Sequence, residues 1–120
     1  MATIRAYTTI EQSRKLAEIL TLESADCFWD YDELQKYHRI NWFEDGYDKD
    51  GQLRLNKNNV CAWSLASLLG VLPKGTNIST PDSLNKIRYS CWNDYDITYA
   101  DNPVDACVAM IEKLHELKML

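Results

Sequence analysis

The run from Asn102 to Leu117 sets the tightest limit on what this chain can fold into. Asn102 is a good N-cap residue, Pro103 suits the first helical position, and Asp105 complements the positive end of the helix dipole. At about 100° per residue, Val104, Cys107, Val108, Met110, Ile111, Leu114 and Leu117 share one broad arc. Asp105, Glu112, Lys113 and Glu116 fill the opposite side. So wide an apolar arc must be covered by another layer. Cys107 lies inside the arc and His115 at its margin, two turns on, about 12 Å of rise away. They are too far apart for a thiol–imidazole dyad, and His115 reads as a half-buried residue with its polar tip in water.

The matching layer is legible in "KIRYSCWNDYDITYA", residues 86–100. Ile87, Tyr89 and Cys91 alternate with Lys86, Arg88 and Ser90. Tyr95, Ile97 and Tyr99 alternate with Asp96, Thr98 and Ala100. Placing both apolar sets on one face requires an odd loop, Trp92 to Asp94, with Cys91 opposite Tyr95 and Tyr89 opposite Ile97.

Two further helices are expected. In "TTIEQSRKLAEIL", Thr8 and Glu11 are spaced as a capping box, and Ile10, Leu16, Ala17 and Leu20 follow on one side. "VCAWSLASLLGVLP" is apolar nearly all round, which predicts a buried helix ended by Gly70 or Pro73, with Ser64 and Ser67 capping or packing it. Between them, "HRINWF" and "QLRLN" read as strands joined by the polar loop "EDGYDKDG". The whole predicts an α+β fold: three helices packed on one face of a small antiparallel sheet that contains the 86–100 hairpin.

A chain of 120 residues suits one domain, 1–120. Its net charge of −5 argues against nucleic acid and against anionic membrane surfaces, since a phosphate backbone is gripped by clustered Lys and Arg and the 13 basic residues here are scattered. No apolar run approaches the roughly 20 residues that span a bilayer. "MATIRAYTTIEQ" lacks the apolar core of a secretory signal, so the expected compartment is the cytoplasm. There Cys27, Cys61, Cys91 and Cys107 are expected as free, mostly buried thiols. The sequence does not choose among their three possible pairings.

The strings "ESAD", "CAWSLASLLGVLP" and "NPVDACVAMIEKLHELKML", in this order and spacing, resemble a family of short uncharacterised proteins of gut Bacteroides and related bacteria, often encoded on phage or other mobile elements. The resemblance covers the second and third helices closely, and the Glu23–Asp26 segment and first helix more loosely. About Tyr31 to Asn59 is unmatched. It implies a bacterial cytoplasm as the setting and transfers no site residue.

Signatures of chemistry fail one by one. "GVLPKGTN" spaces Gly70 and Gly75 as in a phosphate loop, but Thr76 stands where lysine belongs and the segment follows a helix. In "DGYDKDGQLRLNK", alignment on Gly51 puts Asp48 and Asp50 at calcium-ligand positions, yet Gly46 and Lys57 occupy two others. His38, His115 and the scattered cysteines show no zinc spacing, and the serines lack a nucleophile-elbow context. No catalytic residue, metal site or cofactor is therefore assigned.

The segment 26–50 departs from this background. It holds eight acidic and three basic residues, so it carries the whole net charge, while the other 95 residues balance. It also holds seven aromatic rings: Phe28, Trp29, Tyr31, Tyr37, Trp42, Phe43 and Tyr47. One reading places these rings in the core with the acids toward solvent. The other rests on a domain of 13.9 kDa rarely needing seven such rings inside. Aromatics supply contact area at interfaces, and acids steer a basic partner. The candidate partner-binding residues are Trp29, Tyr31, Trp42, Phe43, Asp45, Tyr47 and Asp48. The expected function is thus a small interaction or regulatory protein that binds a protein partner. The alternative is a small-ligand binder or enzyme with a pocket between sheet and helices, lined by tyrosines and His115. The oligomeric state is not fixed by the sequence.

Overall fold

The computed structural model describes residues 5–43, 59–80 and 88–120. Asn102 accepts the Val104 amide at 2.9 Å and starts helix α3 (Pro103–Glu116) as its capping chemistry requires. Val104, Cys107, Met110, Ile111 and Leu114 have no exposed surface. Leu117, expected on the same arc, is the C-cap residue and stands half in solvent, because the helix ends before the arc does.

Among the described residues, two three-stranded antiparallel sheets accompany three α-helices, so the fold is α+β with the expected hairpin. The first sheet has the order β2-β1-β3, from β1 (Cys27–Asp32), β2 (Tyr37–Trp42) and β3 (Val60–Ala62). The second has the order β4-β5-β6, from β4 (Asn77–Ser79), β5 (Tyr89–Trp92) and β6 (Ile97–Ala100). Helix α3 lies across β5 and β6. "HRINWF" is realised as β2, whereas "QLRLN" lies outside the described residues, as does the loop before it.

The hairpin keeps its place but not its register. Cys91 faces Thr98, Tyr89 faces Ala100 and Trp92 faces Ile97, so the loop is Asn93–Asp96 and not the odd loop expected. Asn93 accepts the amides of Tyr95 (2.8 Å) and Asp96 (3.2 Å), an Asx turn that the side chain itself builds. The inner positions of β6 touch the backbone of α3, where Thr98 donates its hydroxyl to the Ala106 carbonyl at 2.7 Å. Small residues, Thr98 and Ala100, fit there. Ile97 and Tyr99 are turned outward, each 46% exposed.

The capping box of helix α1 (Ile10–Leu16) is Thr9 with Gln12, one residue later than Thr8 with Glu11. Thr8 is unavailable because it is buried against β3's end: its amide donates to Trp63 O (2.9 Å), and its hydroxyl accepts the Trp63 amide (3.1 Å) and pairs with Ser13 Oγ (2.7 Å). Leu16 is buried, while Ala17 is the exposed C-cap residue.

The second expected helix is shorter than its apolar run. Val60–Ala62 forms β3 because the free edge of β1 accepts it, with Cys27 opposite Ala62 and Trp29 opposite Val60. Ser64 then caps helix α2 (Leu65–Val71), accepting the Ser67 amide at 3.2 Å. The helix stops at extended Leu72, as the following Pro73 demands.

Trp63, Leu16 and Leu68 join the α3 residues in one core. The Trp63 indole donates to Ser24 Oγ at 2.9 Å, so its one polar atom is satisfied. Arg5 and Gln12 both reach the Asp105 carboxylate, which ties the N-terminal segment and α1 to the first turn of α3. No helix among the described residues is long and apolar enough to cross a membrane.

Candidate functional site

Period-two alternation explains how the acidic-aromatic segment folds. In "CFWDYD" the odd positions Cys27, Trp29 and Tyr31 take one face, and Phe28, Asp30 and Asp32 the other. Register on β2 then places Trp42, Ile40 and His38 beside the first set, and Asn41, Arg39 and Tyr37 beside the second. Strand β1 was not expected from the sequence. Its signal is the alternation of Trp29 and Tyr31 with Asp30 and Asp32, hidden because Phe28 breaks the pattern and two of the six residues are acids.

Trp29, Tyr31 and Trp42 therefore share one face. Trp29 is half-buried, with its indole donating to Thr8 O at 3.0 Å and its ring edge-on to Tyr7 at 5.5 Å. Tyr31 packs on His38 at 4.9 Å. Trp42 is 55% exposed. Phe43 is separated from these three: it packs on Phe28 at 5.0 Å and against the core. Asp45, Tyr47 and Asp48 lie outside the described residues.

Three of the four described acids of the segment, Asp26, Asp30 and Asp32, have local work. Asp26 accepts both the Ser64 amide (2.9 Å) and the Ser64 hydroxyl. Asp30 accepts from Asn41 at 3.1 Å and stands 3.6 Å from Arg39. Asp32 caps the hairpin turn, accepting the amides of Leu34 (3.0 Å) and Gln35 (3.2 Å). Part of the segment's negative charge is thus a feature of how the hairpin and α2 are held.

Trp42 borders an open groove of about 540 Å³. Its other walls are Ala6, Leu65, Ala66 and Leu69, and the bonded pair Asp26–Ser64 lies at one side. The lining is apolar apart from that pair. Neighbouring Cys27 is no nucleophile, since burial, the Asp26 carboxylate and Cys61 together push its thiol up to about 12. The Cys107 thiol is raised as well, first by its hydrogen bond with Cys91 and then by burial. All four cysteines are free thiols, three of them buried and Cys61 partly so.

A second apolar surface lies where the sequence placed core. Trp92, Tyr95, Ile97 and Tyr99 are all exposed on the β5–β6 hairpin, a direct consequence of its register. Around Trp92, Tyr95 and Ile97 lies a depression of about 520 Å³ that also involves Ser90, Asn93, Asp94 and Asp96. Among the described residues, the tyrosines of the hairpin and His115 do not line a pocket between sheet and helices. Cys91, Ala106, Cys107 and Met110 close that interface without exposed surface, and Tyr95 and Tyr99 face away from it. His115 is exposed, not half-buried, with its Nδ1 2.9 Å from the Leu120 carbonyl oxygen. Among the described residues, no group of three or more His, Cys, Asp or Glu side chains could hold a metal ion. No protein-family model, no curated protein and no solved structure matches this chain.

Proposed function

We propose that this chain is a small interaction protein that binds a protein partner at the Trp42 end of the first sheet. One observation carries the reading: a tryptophan more than half exposed stands beside an apolar groove floored by the first turns of α2. Exposed aromatic rings beside apolar pockets are the common anchors of protein interfaces, because a large rigid surface is desolvated at little entropic cost. The partner is a basic polypeptide that lays an apolar side chain into the groove. Its charge complements a chain of net charge −5 whose excess acid is concentrated in residues 26–50, the segment that includes Trp42.

The test is affinity capture from a Bacteroides lysate, the setting that the family resemblance implies, with three baits: wild type, Trp42→Ala and Ala66→Glu. Ala66 is an exposed helical position on the groove wall, so glutamate there fits the helix and fills the groove with charge. The expected result is one basic protein, near-stoichiometric on wild type and absent from both variants. A captured protein held equally by all three baits overturns the assignment of the surface.

A further inference from the structure

We propose that the tip of the β5–β6 hairpin is a guanidinium-binding cleft that takes an arginine side chain from a polypeptide. It shares no lining residue with the Trp42 groove, so the two surfaces stand or fall separately. Three apolar side chains on this tip, Trp92, Tyr95 and Ile97, are 41%, 56% and 46% exposed around a depression of about 520 Å³. Large apolar surface left this open marks a binding region more often than chance scatter does.

Hydrogen bonds within the hairpin and to its neighbours hold the walls of the cleft in place. Trp92 donates its indole N–H to Ser79 Oγ at 2.9 Å, across β4, which fixes the ring and commits its polar atom. What remains available is the ring's π surface. The loop is fixed by Asn93, which accepts the Tyr95 and Asp96 amides and donates to Thr76 Oγ1 at 3.2 Å. A site held by such supporting bonds loses little freedom on binding.

Its charge selects a cation. Asp94 and Asp96 are both in the lining, and Asp94 is exposed. The cation facing them from α3 is Lys113, 3.9 Å from Asp96 Oδ2, and Arg88 precedes β5 at the strand's other end. Among the described residues, two carboxylates against one ammonium leave the cleft anionic, and the faces of Trp and Tyr add negative quadrupole potential. Anionic ligands are repelled. Among cations, guanidinium fits both features: it stacks flat on aromatic rings and offers parallel N–H donors to a carboxylate. An ammonium is compact and strongly hydrated, and it exploits neither plane nor fork.

The experiment is an amide and indole NMR titration of the whole chain with acetyl-tetra-arginine amide at physiological ionic strength. Acetyl-tetralysine amide and the tetra-citrulline analogue serve as comparisons. The expected result is saturable shifts confined to Ser90–Ile97 and the Trp92 indole, seen with arginine and weak or absent with the other two. Binding should weaken about tenfold in Trp92→Ala and in Asp94→Asn, the size of one cation–π or charge-assisted contact. Because Asp94 is exposed, Asp94→Asn leaves the fold intact, and unmoved signals elsewhere verify this for both variants. Shifts spread over the acidic surface generally, an equal response to tetralysine, full binding by Asp94→Asn, or no saturable shift would each overturn the assignment.

Discussion

Thr98 Oγ1 donates to the main-chain carbonyl of Ala106 at 2.7 Å, a bond that joins the inner face of the second sheet to helix α3. The same hydroxyl lies 3.4 Å from Cys91 O, its cross-strand neighbour. A polar side chain can sit on the inner face because the helix offers it an acceptor there. The outer face then receives Trp92, Ile97 and Tyr99, the residues from which the arginine cleft and its surroundings are built.

Replacing Thr98 with valine keeps the shape and removes the donor. The Ala106 carbonyl belongs to a helical turn that continues to Glu116, so it keeps a partner within the helix. The loss should therefore be close to that of one ordinary hydrogen bond, about 1 kcal/mol. Urea unfolding of Thr98→Val measures it. A neutral or stabilised variant would show that packing against α3 alone fixes the hairpin face.

Asp26 is the joint between the first sheet and α2. Its carboxylate takes the amide and hydroxyl of Ser64, and that hydroxyl oxygen in turn caps the Ser67 amide. Asp26→Ala removes two charge-assisted bonds and loosens the cap, at an expected cost of about 2–3 kcal/mol. Ser64→Ala removes the hydroxyl but leaves its amide on Asp26, and should cost less, about 1 kcal/mol. Equal costs for the two would mean that the amide bond contributes nothing.

These cases show what could be read in the sequence. Helix α3 was legible in both start and buried face, because its cap, proline and apolar arc all point one way. The hairpin was legible as a hairpin but not in register, since Tyr95, Ile97 and Tyr99 look like a core set until α3 leaves room for small residues alone. Strand β1 was invisible because Asp30 and Asp32 alternate with rings, and acids are poor strand formers in isolation. Val60–Ala62 reads as the start of a helix in the sequence because a short apolar run has no period of its own; pairing with β1 decides it. At the candidate site, Trp42 is a residue the sequence singles out, whereas Leu65, Ala66 and Leu69 reach it through the fold and carry no local mark of it.

Lys36 adopts φ +58° in the β1–β2 turn, where its amide closes onto Asp32 O at 2.7 Å. A left-handed backbone costs an L-residue about 1–2 kcal/mol, and glycine escapes most of it. The side chain is exposed, so nothing else is lost. Lys36→Gly should stabilise by about 0.5–1 kcal/mol once glycine's greater unfolded-state freedom is counted. Thermal unfolding should show a rise of about 2–4 °C for a domain of this size. A fall would mean that the lysine side chain holds the turn.

Cys27 makes stability depend on alkaline pH. Its thiol ordinarily titrates near 9.0, and in the fold it is pushed up to about 12, chiefly by burial and then by Asp26 and Cys61. With the folded value above the unfolded one, the thiol's contribution is full below about 9 and is lost as pH climbs toward 12, because the unfolded chain releases the proton first. Other groups titrate in the same window, so the reading is a difference between wild type and Cys27→Ala. In urea unfolding at intervals from pH 8 to 11, the stability advantage of wild type should be constant to about pH 9 and shrink steadily above it. Native protein at pH 8 should also leave Cys27 unmodified by a thiol reagent that labels all four cysteines in urea. A gap that stays constant to pH 11 would mean that the thiolate is as well accommodated in the fold as in water, and the burial of Cys27 between its strand neighbours Trp42 and Ala62 would have to be redrawn.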